Sequence, residues 1–101
     1  MINIPNKFLI AGNEIKVIVS DQNVGSTFGY FDSVKNEITI YTVAVTESEI
    51  VELKDEQIMN TYFHELFHCF NFFWNTETNE DLAQVFSNFM CEYERTKTFT
   101  N

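Results

Sequence analysis

Asp55-Glu56-Gln57-Ile58-Met59-Asn60-Thr61-Tyr62-Phe63-His64-Glu65-Leu66-Phe67-His68-Cys69-Phe70-Asn71-Phe72-Phe73 is the stretch on which the fold turns. Ile58, Met59, Tyr62, Phe63, Leu66, Phe67 and Phe70 recur at intervals of three and four, so they form one broad apolar stripe of a helix reaching about Phe73. Such a stripe needs a surface to cover. The chain before it supplies one, because every strong backbone breaker lies in the first third: Pro5, Gly12, Gly25 and Gly29, with neither Gly nor Pro from Tyr30 to Asn101. Residues 8–11 and 14–19 flank Gly12-Asn13, a pair suited to a two-residue hairpin turn, and Ile15, Val17 and Val19 then share one face. A polar loop over 20–26 follows, and 27–31 with 37–41 predict a second hairpin across residues 32–36. The expected sheet is small and antiparallel or mixed.

Downstream, Asn75 to Thr78 interrupt the pattern. Thr78 can cap a second helix carrying Leu82, Val85, Phe86, Phe89, Met90 and Tyr93, with fraying after Arg95. Residues 42–54 are open, since Thr46-x-x-Glu49 resembles a capping box and could start a short helix. The 101 residues support one core and a single domain over 1–101. A formal charge of −9 argues against nucleic acid and anionic bilayers, which are held by clustered Lys and Arg. No basic segment followed by an apolar one opens the chain and no apolar run approaches membrane-spanning length, so a cytoplasmic protein with reduced cysteines is expected.

The first helix contains His64-Glu65-Leu66-Phe67-His68, a complete H-E-x-x-H. Two His four apart project from one helix face a turn apart, and their imidazoles can converge on one metal. Glu65, about 100° round the helix, can reach a metal-bound water as general base. Chance produces two His at this spacing with Glu after the first in only ~0.2% of arrangements of such a chain, so accident is a poor account of the motif. A catalytic Zn²⁺ normally keeps three protein ligands, and no third His exists. The extended metzincin motif is absent, which leaves a carboxylate: Glu77, Glu80 or Asp81, with Glu80 preferred because Gln84 shares its face four residues on. Cys69, about 100° from His68, is expected in the core, and Cys91 in packing.

His64-Glu65-Leu66-Phe67-His68 together with Asn79-Glu80-Asp81-Leu82-Ala83-Gln84-Val85-Phe86 resembles the thermolysin-type gluzincins, in which H-E-x-x-H is followed on a second helix by N-E-x-x-x-D. The size and order of elements are also similar to the short zinc peptidases of bacterial phages and mobile elements. The resemblance implies an α+β, minimal zincin-like fold with a sheet packed on an active-site helix and a second C-terminal helix. It implies Zn²⁺ held by His64, His68 and Glu80, with Glu65 as catalytic base in peptide hydrolysis. Gln84 stands where that family has an Asp, and none of these 101 residues is expected to correspond to the family's C-terminal subdomain.

The expected partner is a peptide or protein substrate, with residues 37–41 as the sheet edge on which an extended chain could pair. A second electrophile would come from Tyr30, Tyr41, Tyr62 or Tyr93, the phenols available. Two other readings stay open: a catalytically silent phage or accessory partner-binding protein retaining the fold, and a metal-dependent small-molecule hydrolase.

Overall fold

The computed structural model describes residues 3–74 and 79–99, with the side chains of residues 79–85 and Ser87 outside the description. Its fold is α+β. The strands are β1 (Lys7–Ile10), β2 (Asn13–Ser20), β3 (Gly29–Asp32), β4 (Glu37–Tyr41), β5 (Val43–Val45) and β6 (Ile50–Glu52), followed by helices α1 (Asp55–Trp74) and α2 (Asn79–Thr96). Four strands form a mixed sheet in the order β1-β2-β4-β3, in which β4 runs parallel to β2 and antiparallel to β3.

The first hairpin turns at Ala11-Gly12 instead of Gly12-Asn13. Both turn residues have positive φ, 49° and 77°, as a type I′ turn requires. The one-residue offset has a long-range cause. Glu92 on α2 accepts the Ala11 N–H at 2.8 Å and the Gly12 N–H at 3.4 Å, holding a non-glycine residue in the left-handed region.

In the second hairpin, Asp32 Oδ1 accepts the N–H groups of Val34 and Lys35, and Asn36 takes φ 55°. Residues 42–54 form no helix. Thr46 Oγ1 does accept the Glu49 N–H at 3.2 Å, as in a capping box, but the Thr46 N–H donates to the Glu49 carbonyl and closes a hairpin between β5 and β6.

Register places Phe8 with Ile15, Val17 with Ile38 and Phe31, and Val19 with Ile40 and Gly29 on one sheet face. Both helices cover that face: Phe8 packs its ring on Phe89 and Tyr93 of α2, and Phe31 on Phe72 and Phe73 of α1. α1 starts at Asp55 because Gln57 Oε1 accepts the Lys54 N–H, and Asp55 and Glu56 meet the positive end of the helix dipole.

The buried stripe of α1 is Ile58, Tyr62, Glu65, Leu66, Cys69 and Phe70. It is rotated from the expected one, so Phe63 and Phe67 are half exposed. Tyr62 and Tyr93 join the helices through a 2.7 Å hydroxyl contact in the core. The chain does not fray directly after Arg95: Thr98 N–H donates to the Lys7 carbonyl and the Asn6 N–H to the Thr98 carbonyl, so Thr98 is pinned beside β1. No helix among the described residues is long and apolar enough to cross a membrane.

Candidate metal centre and cleft

α1 carries His64 and His68 on its exposed side, with their Nε2 atoms 3.0 Å apart and their rings nearly perpendicular at a centroid distance of 4.6 Å. Two nitrogens each about 2.0–2.1 Å from one zinc at a tetrahedral angle would lie about 3.3–3.4 Å apart, so the imidazoles fit a shared cation with a few tenths of an ångström of opening. The same 3.0 Å suits a hydrogen bond between two neutral rings, one donating and one accepting. Among the described residues, no group of three or more His, Cys, Asp or Glu side chains could hold a metal, so a cation held by this pair would take any third protein ligand from outside them. Glu77 lies outside the described residues. Glu80 and Asp81 lie in the first turn of α2, and their side chains, like that of Gln84, fall outside the description.

Glu65 points differently from the two imidazoles. It is buried, and it forms part of a cleft of about 370 Å³ lined by Ser26, Phe28, Gly29, Asn60, Thr61, His64 and Glu65. The helix contributes two turns of one wall, and the other wall is the entry to β3. Gly29 is what brings them together. A Cβ there would sit 2.7 Å from the Thr39 carbonyl oxygen and 2.9 Å from Thr61 Cγ2, so only a residue without a side chain lets α1 approach this strand.

The loop before it is fixed by Asn23, whose Nδ2 donates to the carbonyls of Thr27 and Val43 while its Oδ1 accepts the Gly25 N–H. Ser26, Phe28 and Gly29 belong to no motif and were not legible as site residues. A glycine inside a strand pattern, which signals close backbone approach, was the one available clue.

Residues 37–41 are not the sheet edge. β4 is an inner strand between β2 and β3, and β3 is the edge beside the cleft. The Tyr41 N–H donates to the Phe28 carbonyl at 2.9 Å, so residues 28 and 41 are a bonded pair. By alternation the N–H and C=O groups of Gly29 and Phe31 point off the sheet.

None of the four phenols faces the cleft. Tyr62 and Tyr93 bond to each other in the core, where burial raises both above the ordinary phenol value. Tyr30 and Tyr41, with ring centroids 6.3 Å apart, lie on the sheet face turned away from the helices. Cys69 is buried as expected, and burial pushes its thiol up to about 12, whereas Cys91 is exposed instead of packed. The chain matches no protein-family model, no curated protein and no solved structure.

Proposed function

We propose that the protein is a zinc-dependent peptidase whose reaction takes place in the cleft between α1 and the β3 edge. The observation that carries this reading is the His64–His68 nitrogen pair 3.0 Å apart, beside a cleft into which Glu65 is set from the same helix. His64 and His68 would hold the zinc, with Glu80 the preferred third ligand. Zinc, when bound, would supply Lewis acidity, bringing a water toward ionisation near pH 7 and polarising a carbonyl.

Glu65 takes the proton of the attacking water as the new C–O bond forms, then delivers it to the amine nitrogen as the C–N bond breaks. Its burial shields the carboxylate from bulk solvent while the cleft leaves it an opening toward substrate. An extended peptide can pair with the outward backbone groups of Gly29, which lines the cleft, and continue along the same free edge of β3 to those of Phe31.

Elemental analysis of protein prepared without chelator is expected to give close to one zinc per chain. Glu65→Gln is expected to retain it while losing at least about 10²-fold in hydrolysis of a peptide library. The rival, a catalytically silent partner-binding protein, is favoured by one observation: an apolar groove of about 370 Å³ between the helices, lined by Phe63, Leu66, Phe67, Phe86, Phe89 and Met90. Zinc-loaded protein that cleaves nothing in the library would decide for that rival.

A further inference from the structure

We propose that Asn60 is the second electrophile of the cleft, its side-chain amide N–H donating to the oxygen of the scissile carbonyl as that oxygen gains charge. This rests on the peptidase reading and supplies the group that the four tyrosines do not. Asn60, His64 and His68 follow one another at four-residue spacing, so they form a single row along α1, with about 5–6 Å between successive Cβ atoms. Helical side chains all lean toward the helix N-terminus, so the row keeps its spacing and a gap of about one helical turn separates Asn60 from His64.

The cleft lies on that same side. Its helical wall is Asn60, Thr61, His64 and Glu65 and does not include His68, so a carbonyl docked there sits between His64 and Asn60. Three uncharged polar side chains line this space. Thr61 has committed its proton, donating from Oγ1 to the Gln57 carbonyl at 3.0 Å. Ser26 is carried by the loop before β3, whereas Asn60 is fixed to the same helix as the two imidazoles and needs no loop to place it.

An amide donor suits the task because it carries no charge to desolvate and cannot be deprotonated at working pH. In the addition step, water oxygen bonds to the carbonyl carbon, the π pair moves onto the carbonyl oxygen and the proton goes to Glu65. In collapse the C–N bond breaks and that proton goes to the nitrogen. Asn60 stabilises the charged oxygen in between and neither gains nor loses a proton.

The test compares wild type, Asn60→Ala, Asn60→Asp, Ser26→Ala and Glu65→Gln, using a peptide that wild type cleaves and a phosphinic peptide whose tetrahedral oxyanion imitates the attacked carbonyl. Asn60→Ala removes the donor without adding charge, Asn60→Asp keeps size and shape while replacing the donor with an anionic acceptor, and Asn60 is exposed, so neither substitution at this position disturbs the core. Both Asn60 variants are expected to lose about 10²–10³-fold in kcat with KM within about twofold, to keep one zinc, and to bind the phosphinic peptide correspondingly more weakly.

Wild-type kcat and phosphinic affinity in both Asn60 variants, or a loss confined to Ser26→Ala, would overturn the role of Asn60 while Glu65→Gln still shows the peptidase itself to be real. A zinc-loaded wild type with no hydrolysis, indistinguishable from Glu65→Gln, would instead remove the peptidase reading and Asn60's role with it.

Discussion

Ala11 shows how a single residue's conformation can be set from the far end of the chain. Its φ of 49° costs about 1–2 kcal/mol for a residue with a Cβ, and the Glu92 carboxylate offsets this by accepting both turn N–H groups. Ala11→Gly is expected to raise stability by about 0.5–1 kcal/mol, and Glu92→Ala to lower it by about 1 kcal/mol, each read as a shift of the urea midpoint at constant slope. Gly12 was legible as a turn residue, but which pair formed the turn was not, because the deciding acceptor lies 80 and 81 residues away. The cysteines give a second residue-scale prediction. Cys69 is buried with its thiol pushed up to about 12, and Cys91 is exposed. A maleimide or iodoacetamide titration at pH 8 should therefore label about one thiol per native chain and two in denaturant, with Cys91→Ser removing the native signal.

Elements were legible where one periodicity dominates and illegible where a long-range pairing decides. α1 was readable from Asp55 onward because its apolar spacing, acidic first turn and lack of breakers agree, and H-E-x-x-H fixed His64, Glu65 and His68 on it. The hairpin of β5 and β6 was not, since Thr46 accepts the Glu49 N–H in a turn as it would at a helix start, and the two differ only in where the chain goes next. Nor could local sequence show that β4 inserts between β2 and β3, which turns the expected edge into an inner strand and gives the cleft to β3. Gly29 is the position where element packing and site meet. Gly29→Ala puts a methyl group 2.7 Å from the Thr39 carbonyl oxygen of the paired strand β4 and 2.9 Å from Thr61 Cγ2 of α1, so the β3–β4 pairing and the packing of α1 on β3 must both give way. The expected outcome is a loss of about 1–3 kcal/mol in unfolding free energy. A Gly29→Ala protein with wild-type stability would show that helix and strand are less tightly apposed than the Thr61 contact indicates.

At the scale of the whole molecule, the two helices are joined in the core by the Tyr62–Tyr93 hydroxyl contact and by Phe70 packing on Phe86 and Phe89. Cys69, Tyr62 and Tyr93 all have raised values, burial being the largest cause for each. These acids stay neutral in the native state when the unfolded chain ionises them. Their contribution is therefore complete below about pH 9 and is lost as pH rises, each group adding a slope of about 1.4 kcal/mol per pH unit between its unfolded and folded values. Alkaline unfolding should accordingly set in above about pH 9, and Cys69→Ala should shallow the first part of that slope. A third zinc ligand from α2 would add a further tie between the helices, and this is where metal binding and folding become one measurement. A cation bound by the native state alone, at about 1,000 times its Kd, stabilises by about 4 kcal/mol, and each kcal/mol moves the Tm of a domain this size by roughly 4–8 °C. Stripping zinc with a chelator should thus lower Tm by about 15–30 °C. His64→Ala, His68→Ala and Glu80→Gln should each abolish most of that shift, while Glu77→Gln and Asp81→Asn should leave it intact. A wild-type Tm indifferent to zinc would reduce the 3.0 Å imidazole pair to a hydrogen bond between two exposed rings, whereas a shift that survives Glu80→Gln and disappears in Asp81→Asn would keep the metal and move its third ligand one residue along α2.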